Sequence, residues 1–97
     1  MDMPQQYTED PVEIQLSGKK LDKETTDLET INKIGRSLLD GNKDFIRQKV
    51  KDNWYGVIEP ISGVFIASEN TNNLYNYTTK KYPNRLLYVI GLLRGFI

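Results

Sequence analysis

Residues Trp54 to Ser68 limit what this chain can fold into more than any other stretch. Trp54-Tyr55-Gly56-Val57-Ile58-Glu59 is dense in aromatic and β-branched residues, which suit a pleated, half-buried surface. Pro60-Ile61-Ser62-Gly63 follows, with a proline that presets φ for a turn and a glycine that accepts a positive φ. Val64-Phe65-Ile66-Ala67-Ser68 then returns to strand composition. The segment reads as a β-hairpin, and the sheet it starts must be covered by the remaining chain.

The flanking segments supply that cover. Thr26, with Glu29 three residues later, has the spacing of a capping box. Leu28, Ile31, Ile34 and Leu38 then recur at three and four residues, the stripe of an amphipathic helix that Asp40-Gly41 ends. A second helix is expected over 42–52, with Asn42 as cap and Phe45, Ile46 and Val50 as its apolar face. Its predicted junction with the hairpin buries Trp54. After the hairpin, Ser68 to Thr71 offers caps for a third helix that runs to about Tyr82, where Pro83-Asn84 stops it. Leu74, Tyr75, Tyr77, Thr78 and Tyr82 take its inner and flanking positions. Arg85 to Leu93 reads as a third strand, apolar on both faces and so expected to be covered on both. The expected order is α-α-β-β-α-β, an α+β fold with a three-stranded sheet packed on helices. A β-α-β crossover sets the last strand parallel to the second, with a place for it beside the first. At least one sheet edge is left open unless another segment or chain covers it.

Residues 1–25 are expected to form a flexible N-terminal arm, and 26–97 a single small domain. Within the arm, Val12, Ile14 and Leu16 alternate with polar residues between Pro11 and Ser17-Gly18. That period of two places three aliphatic side chains on one face of an extended segment over 11–17. Such a strand can lie on the domain's own sheet or add to a partner's. The arm carries a formal charge of −3 and the body +3, which balance to zero.

The residues from Trp54 onward resemble a family of very short prokaryotic proteins, largely cyanobacterial. The shared features are the Gly56-Val57-Ile58-Glu59-Pro60-Ile61-Ser62-Gly63 hairpin, a helix closing on Lys81-Tyr82-Pro83, and a final strand over Leu86-Leu87-Tyr88-Val89-Ile90. The resemblance covers about the last 45 residues. It implies an adaptor or antitoxin-like role and brings no catalytic residues with it. Gly91 stands where the family's last strand often has a charged residue.

The chain has no cysteine and no histidine. Thiol nucleophiles, disulfides, thiolate metal sites and the commonest general base are therefore excluded. Acid–base chemistry would fall to Glu59, Asp52 or Glu69, but carboxylates beside turns and helix starts already have structural work there. Catalytic, metal and cofactor sites are accordingly expected to be absent. The polar, acidic start lacks the features of a signal peptide, and no apolar run reaches the ~20 residues of a membrane span. A cytoplasmic protein without membrane contact is expected.

Two functions remain open. One is a small protein-interaction or regulatory module that binds a protein partner or itself, as a homodimer or small hetero-complex, through a sheet edge, the arm or both. Val12, Ile14 and Leu16 are its candidate contacts. The alternative is single-stranded nucleic-acid binding, with Tyr75 and Tyr77 stacking on bases and Lys80, Lys81 and Arg85 meeting phosphates. The body's modest positive charge falls short of a basic footprint, which favours the first reading.

Overall fold

The computed structural model describes residues 11–50 and 53–92. The first ten residues of the expected arm, Asp52 and the tail from Leu93 lie outside them. Seven elements follow in chain order: β1 (Val12–Gln15), α1 (Leu28–Gly41), α2 (Lys43–Lys49), β2 (Tyr55–Glu59), β3 (Val64–Ser68), α3 (Thr71–Lys81) and β4 (Tyr88–Leu92). The fold is α+β, with three helices and one antiparallel sheet in the order β1-β3-β2-β4.

The sheet has four strands, where the sequence led to three. The hairpin forms as expected, with Ile58 opposite Phe65 and Val57 opposite Ile66. β4 pairs with β2 on the far side, which makes the first hairpin strand internal. The extra strand is β1, the alternating segment of the arm. It pairs antiparallel with β3, Ile14 opposite Phe65 and Val12 opposite Ala67. The folded structure therefore begins upstream of the expected boundary at Thr26.

The sheet's two faces are covered by different helices. Ile14, Leu16, Ile58, Phe65 and Ala67 pack against Leu38 and Leu39 of α1, Ile46 of α2, and Val50. Val57, Val64 and Ile66 meet Leu74 of α3 on the other face, with Tyr77 and Tyr82 beside them. A strand buried on both faces reads as a continuous apolar run, and β3 is buried at all five positions.

The helices depart from expectation at their edges. The cap of α1 is Asp27, whose Oδ1 accepts from the Glu29 amide at 3.2 Å while Oδ2 accepts from the Thr30 hydroxyl at 2.6 Å. Thr26 plays no part in the cap, and Leu28 is exposed. Asn42 stands at the start of α2, but its buried side chain makes no bond to that helix. Its Nδ2 donates to the Leu38 carbonyl (2.7 Å) and the Ser17 carbonyl (2.9 Å), which pins the segment after β1 to the helix junction. Phe45 points outward beneath the Lys49 ammonium, and Tyr75 is likewise exposed. Trp54 is half-buried at the rim of the core instead of inside it.

After β1 the chain wraps the tip of the hairpin. The Leu16 amide donates to the Gly63 carbonyl (2.9 Å) and the Leu21 amide to the Pro60 carbonyl (3.0 Å). Gly63 has φ +74°, as the turn requires, and the Lys20 side chain lies where a Cβ on it would project.

Candidate interaction edge and the cleft at its head

Among the described residues β4 is one outer strand of the sheet, hydrogen-bonded on one side to β2. Tyr88, Val89 and Ile90 favour the extended backbone, and α3 is stopped just before them by Pro83 and by Asn84 at φ +62°. The β2–β4 ladder shifts register between Gly56 and Val57, so that Val89 faces Val57 but Gly91 faces Gly56. Ile90 is the extra residue of this bulge, and Gly91 takes up the bend at φ +82°.

α1 runs along the same edge. Gly35 has no Cβ, and a Cβ built there would collide with the base of the Tyr88 ring. That close approach seats the ring on the helix and keeps Tyr88 half-buried, with Ile90 beside it against the same core. Val89 is 69% exposed and Leu86, just upstream of the strand, 44%. Asn32, Lys33 and Arg36 of α1 line a shallow groove with Tyr88 and Val89. The expectation that this last strand is covered on both faces is thus corrected: both outward aliphatic side chains are open to solvent.

At the head of β4 lies a cleft of about 470 Å³. It is lined by Leu21, Thr25 and Thr26 from the segment after β1, by Ile31 of α1, by Pro60 and Ile61 of the hairpin turn, and by Asn84, Arg85 and Leu86. Arg85 joins two carboxylates there, Nε lying 3.1 Å from Glu24 and Nη1 3.0 Å from Glu59. Glu59 is completely buried. Its carboxylate accepts from the Ser62 amide (2.8 Å) and the Ile61 amide (3.1 Å), closing the hairpin turn. Burial alone would raise its pKa; hydrogen bonds from Ser62 and Ile61 and the charge of Arg85 outweigh that and leave it lowered. Glu59 is therefore an ionised structural anchor whose oxygens are already engaged.

The residues singled out from sequence fall into three groups. Ile14 and Leu16 are buried and Val12 is half-buried against the same core, so the three share a face as expected, but the chain's own sheet covers that face. Tyr77, Lys81 and Arg85 each face an acid. The Tyr77 hydroxyl donates to Glu13, Lys81 sits 2.6 Å from Glu13 between the Tyr77 and Tyr82 rings, and Arg85 holds Glu24 and Glu59. Tyr75, 68% exposed, and Lys80 remain on the outer side of α3. The nucleic-acid set is thus split, with two of its three cations paired to carboxylates.

Sequence reasoning missed the exposure of Leu86 and Val89 and the role of Glu24. An apolar run is the signature of a covered strand and of an adhesive edge alike, so composition could not separate them. Glu24 meets Arg85 across 61 positions, a pairing that no local pattern encodes.

Among the described residues no group of three or more metal-ligating side chains occurs, and no helix is long and apolar enough to cross a membrane. No protein-family model, curated protein or solved structure matches the chain.

Proposed function

We propose that this protein is a small interaction module, adaptor-like or regulatory, which takes up an extended segment of another protein as a fifth strand along β4. The observation that carries the reading is an outer strand whose flanking aliphatic side chains, Val89 and Leu86, are open to water. An unpaired strand edge offers main-chain donors and acceptors in register, and neighbouring apolar side chains add binding energy and selectivity. β1, the other outer strand, is four residues long, and its aliphatic side chains turn inward. The role once open to Val12, Ile14 and Leu16 as a strand donated elsewhere is disfavoured by their use in the core.

Nucleic-acid binding is the weaker reading. Lys81 would have to leave Glu13 before meeting phosphate, and Tyr77, the expected base-stacking ring, is tied to the same carboxylate.

The test is a Val89→Lys variant. A lysine on an edge strand is a natural block to strand addition, and an exposed side chain can be replaced with little cost to the fold. Thermal unfolding should stay within about 0.5 kcal/mol of wild type. Binding of any strand-forming peptide, followed through the amide resonances of residues 86–92, should fall at least tenfold. Unchanged binding in the folded variant would place the contact elsewhere on the surface.

A further inference from the structure

We propose that the strand received by β4 runs antiparallel to it and ends in the cleft at its head, with its free C-terminal carboxylate on Arg85. The inference rests on the strand-addition reading and adds direction, charge and end group to it.

Every pairing in this sheet is antiparallel, and antiparallel ladders are slightly the more stable per residue. A strand added in that sense has its C-terminal end beside the start of β4. Arg85 precedes Tyr88 by three residues, about 10 Å of extended chain, so it stands at that end. Arg85 also lines the cleft there, with Leu21, Thr25 and Thr26, and the arriving chain would end in it. Leu21 and Leu86 offer apolar surface for a last aliphatic side chain.

Charge along the edge agrees. The groove beside Val89 contains Lys33 and Arg36 and no acid, and Arg85 follows at the cleft. Glu59 is neutralised internally by two amides and Arg85. Glu24 is an exposed carboxylate resting on the Nε side of Arg85, and among the described residues no carboxylate sits on the Nη2 amino group, which can meet a second one. Glu24 thus marks the ligand chemistry that Arg85 accepts, and it competes with it. A second copy of the chain is a poorer occupant, because two-fold pairing through β4 would bring Lys33 and Arg36 of both copies together across the axis.

The experiment uses the full chain and random eight-residue peptides displayed either with free C-termini or between fixed flanks. Free-ended peptides with alternating aliphatic residues and an acidic bias should be enriched. The best of them, made synthetically, should shift the amide resonances of residues 84–92, and its C-terminal amide should bind at least tenfold more weakly. Glu24→Gln removes the competing carboxylate from an exposed position and should tighten binding about threefold. Lys33→Glu with Arg36→Glu should weaken it, and Arg85→Gln should abolish the preference for a free carboxylate. Because the amidated peptide leaves the protein untouched, the end-group claim does not depend on how Arg85→Gln folds. Equal binding of acid and amide at β4, or enrichment of flanked peptides, overturns this inference and leaves strand addition standing. Self-association through β4 without peptide binding overturns it also. No peptide effect at β4, in a chain that stays monomeric, overturns both.

Discussion

At the scale of single residues, Glu59 concentrates the most consequence. It has no exposed surface, yet hydrogen bonds and Arg85 keep it ionised. Hydrogen bonds to a charged group contribute about 1.5–3 kcal/mol, and Glu59→Gln is expected to lose stability of that order at neutral pH. The sign of the pH dependence follows from the lowered pKa. A carboxyl whose folded pKa lies below its unfolded value stabilises the fold fully above the unfolded value and loses that contribution as pH falls through the folded one. Urea unfolding midpoints of wild type and Glu59→Gln should therefore diverge at pH 7 and converge in acid. A gap that stays constant down to pH 3 would mean the carboxylate's charge is irrelevant. The turn at Pro60-Ile61-Ser62-Gly63 was readable from its own residues, whereas the ion pair beneath it depends on Arg85, which the chain reaches only after α3.

At the scale of elements, α1 shows what periodicity resolves. Ile31 and Leu38 are buried and Ile34 half-buried, as their spacing requires. Leu28 fits the same stripe but lies at the helix's first position, past the end of the surface it would cover. The α3 pattern misled in a related way, since Tyr75 and Tyr77 both flank Leu74 and only Tyr77 meets the sheet. Two glycines of α1 provide opposite tests. Gly35→Ala places a methyl group into the base of the Tyr88 ring, and overpacking of that kind costs about 1–3 kcal/mol. The gain of up to ~1 kcal/mol in helix propensity does not offset a collision at so short a range. Gly41→Ala meets no atom and should be neutral or stabilising by up to ~1 kcal/mol. Thermal unfolding of both variants checks the contrast, and a stabilised Gly35→Ala would show that Tyr88 is not seated on α1.

At the scale of the whole molecule, the segment from Pro11 to Thr25 decides where the fold begins. It contributes β1, two buried aliphatic side chains, and the main-chain bonds from Leu16 and Leu21 to the hairpin tip. Ile14→Ala is expected to cost about 2–5 kcal/mol, a large share of the stability of a domain this small. A chain begun at Thr26 should lose its cooperative unfolding transition, with circular dichroism and near-ultraviolet signals collapsing together. Retention of a sharp transition would show that β1 is dispensable. From the sequence alone came the hairpin, the three helices within a few residues, and the absence of thiol and imidazole chemistry. Each of these is written in neighbouring residues, because turn geometry, capping and hydrophobic period act over a few positions. Three things were decided only in the folded chain: that β1 lies on its own sheet, that Leu86 and Val89 stay open while their apolar neighbours are covered, and that Arg85 binds Glu24 and Glu59. An alternating strand fits any edge equally well, and which edge receives it depends on where Asn42, Gly63 and Phe65 are brought by elements far away in sequence.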